Sequence, residues 1–521
     1  MKINKTFKII GGMTVITLFA RVCGLLRVIL FARLFGTGFE ADVFLAASRV
    51  PIMFFDLTLG AAIMATFIPV FNKKLTLFGE KDANLFANNF MNIVTFITFV
   101  LCLLGVIFSR QIVGVMVPGF DAEKAAATAE MLQLLFPIII FTALAFTSVG
   151  ILQSLGEFNI PAMISLVSNG IMILYFLIFG RRFGIFGVAM AMLFGWSMQF
   201  LIQIPALIKK GFRYKLILNF KDSAMREVVK LAIPVLISSW GQPLGAIIGM
   251  MFASGFARGA VAGLDYANTL YISGVAVLTF AVTNFIFPKL SRLNAAGDDE
   301  EFKQTVRTSV SYTTYVIMPI MALFIALSTP IIRLLYGGGA FDYYSIALVS
   351  APLMFYSLGM VSFSITEILN RTFFATQDGK TPMIASIIGI ACNVALSAYL
   401  IFVQGFGVWA LALSAAVGMT VTAVILMSVI AKRRKGMLNR AFVANLLKTI
   451  FCGAGAAVTA AHIYSFVAAN LGGAGIFSQI AKLFLASAGA VVVYLILCWI
   501  FQVKEQQGLV AKVLGKKESA K

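Results

Sequence analysis

Runs of twenty or more apolar residues recur from one end of the chain to the other, separated by short polar breaks. Each run is long enough to cross a bilayer as a helix. Fourteen such spans are predicted, at 8–36, 42–71, 86–109, 127–153, 160–180, 185–208, 228–257, 264–288, 308–330, 345–376, 381–403, 406–431, 444–469 and 476–502. The longer polar connections are 72–85, 209–227, 289–307 and 432–443, together with the tail after Gln502. The expected fold is an all-α polytopic membrane protein.

The pattern also repeats. FIPVF around Pro69 returns as IFPKL around Pro288, and PGFD at Asp121 as GAFD at Asp342. EFNIPAMIS at Pro161 returns as DGKTPMIAS at Pro382, and FGVAMAM at Phe186 as FGVWALAL at Phe406. The offsets are 219, 221, 221 and 220 residues. A constant offset implies two related lobes of six spans each, 1–208 and 228–431, joined by a cytoplasmic linker, 209–227. Six is even, so both lobes enter the membrane in the same sense, the parallel arrangement of transporters that bind at the midplane. The region 432–502 adds two further spans, and 503–521 forms a basic tail.

Composition narrows this reading. The 521 residues are 60% hydrophobic and 12% charged, with a mean hydropathy of +0.96, which excludes an ordinary soluble domain. The net charge of +20 would suggest nucleic acid in a soluble protein, but its distribution points elsewhere. With the N-terminus inside, 28 of the 41 lysines and arginines fall on the inner side, 6 on the outer side and 7 within spans. By the positive-inside rule both termini are cytoplasmic, and no nucleic-acid partner is expected. The five cysteines show no ligand spacing, and the single histidine, His462, has no ligating neighbours in sequence, so no metal is expected. No GxxxxGK[ST], GxSxG or HExxH pattern occurs. No cofactor and no enzymatic activity are therefore expected.

The candidate chemistry lies in charges inside the spans. The first span holds Arg21, Arg27 and Arg33 and no acid. A cation at mid-membrane costs roughly 2.5–3.5 kcal/mol on insertion scales, so intramembrane arginines mark function by default. Successive arginines point about 120° apart on an ideal helix. A bend at Gly24 is expected to bring Arg21 and Arg27 toward one anion site, while Arg33 snorkels to the outer surface. The second span adds Asp42 at its outer end, Arg49 and Asp56. Glu367 and Arg371 are four apart in the tenth span, in the favourable order for a pair. Asp56, Glu367, Arg371 and Asn393 are read as candidates for an ion site or for structural pairing.

The stretch MTVITLFARVCGLLRVILFARLFGTGFEADVFLAASRVP resembles the start of the MurJ/MviN family of the multidrug/oligosaccharidyl-lipid/polysaccharide exporter superfamily. ILQSLGEFNIPA, IPALIKKGFRYK, FPKLSRL and RTFFATQDGKTP extend the resemblance over essentially the whole chain. It implies a flippase for lipid II, the undecaprenyl-diphosphate-linked peptidoglycan precursor, in the bacterial inner membrane, with fourteen spans. It also implies a central cavity in which Arg21, Arg27 and Asp42 meet the substrate; Arg49 is a further substrate-binding candidate by its charge within the second span. Arginine suits a diphosphate because its planar fork matches phosphate geometry. The expected partners are lipid II or a related lipid-linked sugar, membrane lipids and cell wall synthesis enzymes. The chain departs from the family at Phe55 and Thr269, where arginines are usual, and at Gly60-Ala61-Ala62, where an acidic EGA is usual. The acids that bind sodium in some members have no counterpart in 228–257 or 381–403, where Asn393 and Ser397 remain. The alternatives are a flippase for another lipid-linked oligosaccharide, an exporter of cationic drugs, which the arginines disfavour, and a non-transporting scaffold for envelope synthesis.

Overall fold

The computed structural model describes residues 2–54, 66–239, 241–473 and 475–513. Phe55, Asp56 and the 60–62 triplet lie outside the described residues. The helices are α1 Lys2–Phe35, α2 Phe39–Phe54, α3 Ile68–Ile107, α4 Ser109–Met116, α5 Ala122–Leu135, α6 Ile138–Ser154, α7 Asn159–Phe179, α8 Gly184–Leu201 and α9 Ile204–Lys209. They continue as α10 Ser223–Ser239, α11 Gly241–Ser254, α12 Ala260–Ala296, α13 Asp299–Ala326, α14 Ser328–Leu335, α15 Tyr343–Ser357 and α16 Met360–Ala375. The last are α17 Lys380–Ala398, α18 Trp409–Arg433, α19 Arg440–Asn470, α20 Ile476–Ile500 and α21 Lys504–Val513. No strand occurs among the described residues.

Ten helical stretches among the described residues are long and apolar enough to cross a membrane, and α15 with α16, bent by 48°, makes an eleventh. The chain is therefore a multi-pass membrane protein. The other three predicted spans, 8–36, 42–71 and 228–257, all run into residues or side chains outside the described set.

Two predicted polar loops are helix instead. Residues 72–85 continue α3, broken only at Gly79, whose φ of 83° lies in the left-handed region that glycine enters without penalty. In 289–307, α12 runs to Ala296 and α13 begins at Asp299, so the connection shrinks to Gly297 and Asp298. The charges in these stretches do not end the helices. Lysine, arginine, leucine and glutamate are all good helix formers. Lys289 of α12 pairs with Glu301 of α13, and within α13 Lys303 pairs with Asp299 and Glu300. Arg434 reaches Asp299 and lies over the Phe302 ring at 3.9 Å.

Packing divides the chain into two compact units, 1–262 and 263–521. In the first, α1 packs along α7, α7 on α8, α3 on α6 and α2 on α5. One of its apolar clusters is built around Phe67, Phe71, Phe86 and Phe90. In the second, α17 packs on α18, α19 on α20, and α13 on α16 and α19. The boundary at 262 places residues 228–257 in the first unit. The basic tail begins as the docked helix α21, where Asn445 donates to the buried Glu505 carboxylate at 2.7 Å and accepts from the Lys504 amide at 3.0 Å.

Candidate functional site

Helix α1 is held in place by aromatic contacts. Phe31 meets Phe35 at 5.2 Å, Phe44 of α2 at 5.0 Å and Phe176 of α7 at 6.2 Å. Arg27 lies one turn before Phe31 and is half-buried, as are Arg33 and Arg49, whereas Arg21 is exposed. The helix is unbroken across Gly24, so the expected bend does not take the form of a helix break. Gly24 has a different visible neighbour. A Cβ there would sit 3.5 Å from the Asn169 amide, which donates to the Ala20 carbonyl at 3.4 Å. Asn169 thus reaches the backbone of α1 across the bare glycine face, one turn from Arg21.

Asp42 departs most from expectation. It is 1% exposed, and its carboxylate has its partners already. The Lys124 ammonium donates to Oδ2 at 2.5 Å, the Gly259 amide to Oδ2 at 2.8 Å and the Ala262 amide to Oδ1 at 2.8 Å. In this structure it faces α5 and the first turn of α12, not an open surface for ligand. The sequence explains the arrangement. Gly259 has a φ of +89°, and a Cβ on it would fall 1.9 Å from the Thr37 carbonyl oxygen, so only glycine lets the chain enter α12 there. The first turn of α12 holds no acid of its own, and its free amides need an acceptor. Asp42 supplies a full negative charge to the positive end of the helix.

Lys124 completes the cluster. It is 7% exposed, and its ammonium also lies 4.1 Å from the centroid of the Phe120 ring. Asp121 caps α5 by accepting from the Lys124 amide at 2.8 Å, which fixes the turn that aims the lysine side chain. Beside it, Gly119 donates to the Ser254 hydroxyl at 3.0 Å, and a Cβ on Gly119 would come within 2.5 Å of the Gly255 backbone. Residues 37–42, 117–124 and 254–262 therefore close on one another without side-chain spacers. In the sequence Lys124 is one of the six lysines and arginines on the outer side, and its position alone does not mark it as a partner of Asp42. The available signal was a lysine three residues after the cap motif GFD.

The remaining candidates are scattered. Glu367 and Arg371 lie on successive turns, both half-buried, and the Arg371 charge acts on the Glu367 carboxyl. Asn393 accepts from the Ser397 hydroxyl at 3.3 Å. It stands at a tight crossing of α17 and α18, where a Cβ on Gly418 would meet its Cβ at 2.9 Å. Thr269 is half-buried, and its carbonyl accepts from Ser273. No group of three or more His, Cys, Asp or Glu residues able to hold a metal occurs among the described residues.

Comparison with known proteins adds the family. Residues 31–509 match the family model described as "Lipid II flippase MurJ". A probable lipid II flippase MurJ of Rhizobium tropici is 31% identical over 412 residues, covering 76% of this chain and 75% of that protein. One of Bdellovibrio bacteriovorus is 26% identical over 491 residues, covering 93% and 92%. Among solved structures, a lipid II flippase MurJ in an inward closed conformation shares the fold, with a TM-score of 0.78 at 23% identity over 94% of this chain and 98% of that one. An inward-facing MATE-family multidrug transporter superposes with a TM-score of 0.67 at 14% identity, over 81% and 98%. The family model spans nearly the whole chain, and by that match the chain belongs to the MurJ family of lipid II flippases.

Proposed function

We propose that this protein moves lipid II from the cytoplasmic to the outer leaflet of a bacterial inner membrane by alternating access, with both termini in the cytoplasm and no covalent chemistry. The observation that carries this reading is Arg21 and Arg27 on α1, a membrane helix without an acid, in a chain of this family. Two guanidiniums suit the diphosphate of the carrier lipid, and Arg49 on α2 supplies a further cation. Asp42 acts in this cycle as a lock and not as a ligand. Its bonds to Lys124, Gly259 and Ala262 hold the 37–42, 117–124 and 254–262 segments together on what the lysine and arginine distribution makes the outer face. Releasing them would open that face. No nucleotide site is needed, since moving one charge down a membrane potential is worth about 2.3 kcal/mol per 100 mV.

The test is replacement in vivo. A bacterium depleted of its resident lipid II flippase grows when this chain is supplied and stops growing with Arg27→Ala at equal membrane expression. Growth that survives Arg27→Ala would remove α1 from the substrate site. Failure of the parent chain, present in the membrane, to restore growth would overturn lipid II as its substrate.

A further inference from the structure

The linker between α9 and α10 is not slack. Residues 212–219 form no regular secondary structure and run beside α3, held by three asparagines that are 1%, 2% and 6% exposed, Asn88, Asn89 and Asn92. Asn88 donates to the Arg213 carbonyl at 3.0 Å and accepts from the Lys215 amide at 2.7 Å. Asn92 donates to the carbonyls of Lys215 and Ile217 at 2.9 and 3.0 Å and accepts from the Tyr214 hydroxyl at 2.8 Å. Asn89 grips Asn219, accepting from its amide at 2.7 Å and donating to its carbonyl at 2.9 Å. The register follows from two periodicities. One helical turn from residue 88 to 92 rises about 6 Å, close to two residues of extended chain at about 3.3 Å each. Side chains spaced i, i+4 can therefore follow a segment running alongside two residues at a time.

Gripped in this way, the segment has two kinds of side chain in alternation. Tyr214, Leu216, Leu218 and Phe220 alternate with Arg213, Lys215 and Asn219, and Ile217 alone breaks the pattern. Leu216 is 82% exposed, and Tyr214, Leu218 and Phe220 are exposed as well. This apolar edge does not stand alone. The Phe220 ring meets Phe96 of α3 edge-on at 6.1 Å, and Phe96 begins the exposed stripe Phe99, Val100, Leu103, Leu104 and Ile107. A stripe of that kind on a membrane helix faces lipid. Around this segment, Lys209, Lys210, Arg213, Lys215 and Lys221 are all exposed. Of the nearby acids, Glu227 is taken by Lys73 at 3.0 Å.

We infer that residues 212–220 form a fixed interfacial plate, clamped by the asparagines. Its alternate apolar side chains enter the bilayer beside α3, and its lysines and arginine gather the anionic headgroups of bilayer phospholipid. A cation near a charged membrane surface attracts acidic lipid within a Debye length, and apolar side chains beside it set the depth. The occupant is bulk anionic phospholipid, not the transported substrate. The inference requires only that the chain spans a bilayer, so it stands or falls apart from the flippase reading.

The test places Leu216→Trp in the full-length protein, reconstituted in vesicles, and records the emission added over the parent's native tryptophans. The expected result is a blue-shifted band that loses most of its intensity to lipids brominated near the glycerol end and little to aqueous iodide. Brominated phosphatidylglycerol quenches it more strongly than brominated phosphatidylcholine at the same mole fraction, and adding Arg213→Gln and Lys215→Gln erases that excess. A water-like band quenched by iodide and indifferent to brominated lipid overturns the plate. Equal quenching by the two lipids in the parent charge state overturns the anionic preference. Neither outcome depends on whether the protein restores growth in the depletion strain.

Discussion

The two halves of the repeat keep one frame and fill it with different chemistry. In the first, Asp121 caps α5 through the Lys124 amide at 2.8 Å. In the second, 221 residues on, Asp342 caps α15 through the Ser345 amide at 2.8 Å. The preceding phenylalanine is repeated as well, but its company is not. Phe120 lies under the Lys124 ammonium, and that ammonium belongs to the buried ionic cluster of Asp42. Phe341 packs on Tyr336 at 5.6 Å and Tyr266 at 6.1 Å, and the two tyrosines meet at 5.6 Å. One half thus closes this corner with a desolvated charge pair and the other with three rings. Duplication preserved the helix cap, which depends on backbone geometry. It left the side chains free to diverge, because any group that fills the volume and satisfies the polar atoms will serve. The charged version is the one suited to a lock, since a buried pair is costly to break and can still be rehydrated when its segments part.

The comparison can be broken most directly at the charge pair. Lys124→Met leaves the buried Asp42 carboxylate without its counter-ion and is expected to cost about 3–5 kcal/mol, measured by thermal unfolding in detergent. Asp42→Asn with Lys124→Met removes both charges and is expected to recover much of that loss. A double variant as unstable as the single one would mean that packing, not charge, closes this corner.

In the aromatic half, Phe341→Leu removes two ring contacts worth about 0.5–1.5 kcal/mol each beyond burial. The expected loss of about 1–3 kcal/mol, read in the same assay, should be independent of salt and of pH. A marked salt dependence would show that the second half also holds its corner electrostatically.

The smallest effects test what the halves share. Asp121→Ala and Asp342→Ala should each cost about 1 kcal/mol, the usual value of an N-cap, and unequal losses would argue against a common frame. The Asp342 cap also carries a pH signature. Hydrogen bonds from Ser345, backbone first, hold its carboxyl below the usual range. A group depressed in the folded state stabilises above its unfolded value of about 3.9 and loses that contribution as pH falls through the folded value. The stability difference between the parent and Asp342→Ala should therefore be constant at neutral pH and shrink only in acid below about pH 3.9.

Much of the architecture is written in the chain itself. Hydropathy runs fix helices without strands, because a backbone in lipid must satisfy its hydrogen bonds within the segment. The 220-residue offset exposes the two halves, because repeated caps and prolines hold their spacing through divergence. Arg21 and Arg27 stand out because a cation in an apolar run is expensive. Only tertiary structure could decide the rest. Whether a charged stretch such as 72–85 is loop or helix depends on where the bilayer ends, which residue types do not encode. That Asp42 is spent on Lys124, Gly259 and Ala262 depends on contacts 82 to 220 residues away, and sequence shows only that an acid is present. Asn88, Asn89 and Asn92 read as ordinary polar positions until a linker segment more than 120 residues later lies beside them. Periodicity and cost per residue are local and therefore legible, whereas a polar group's partner is set by the fold.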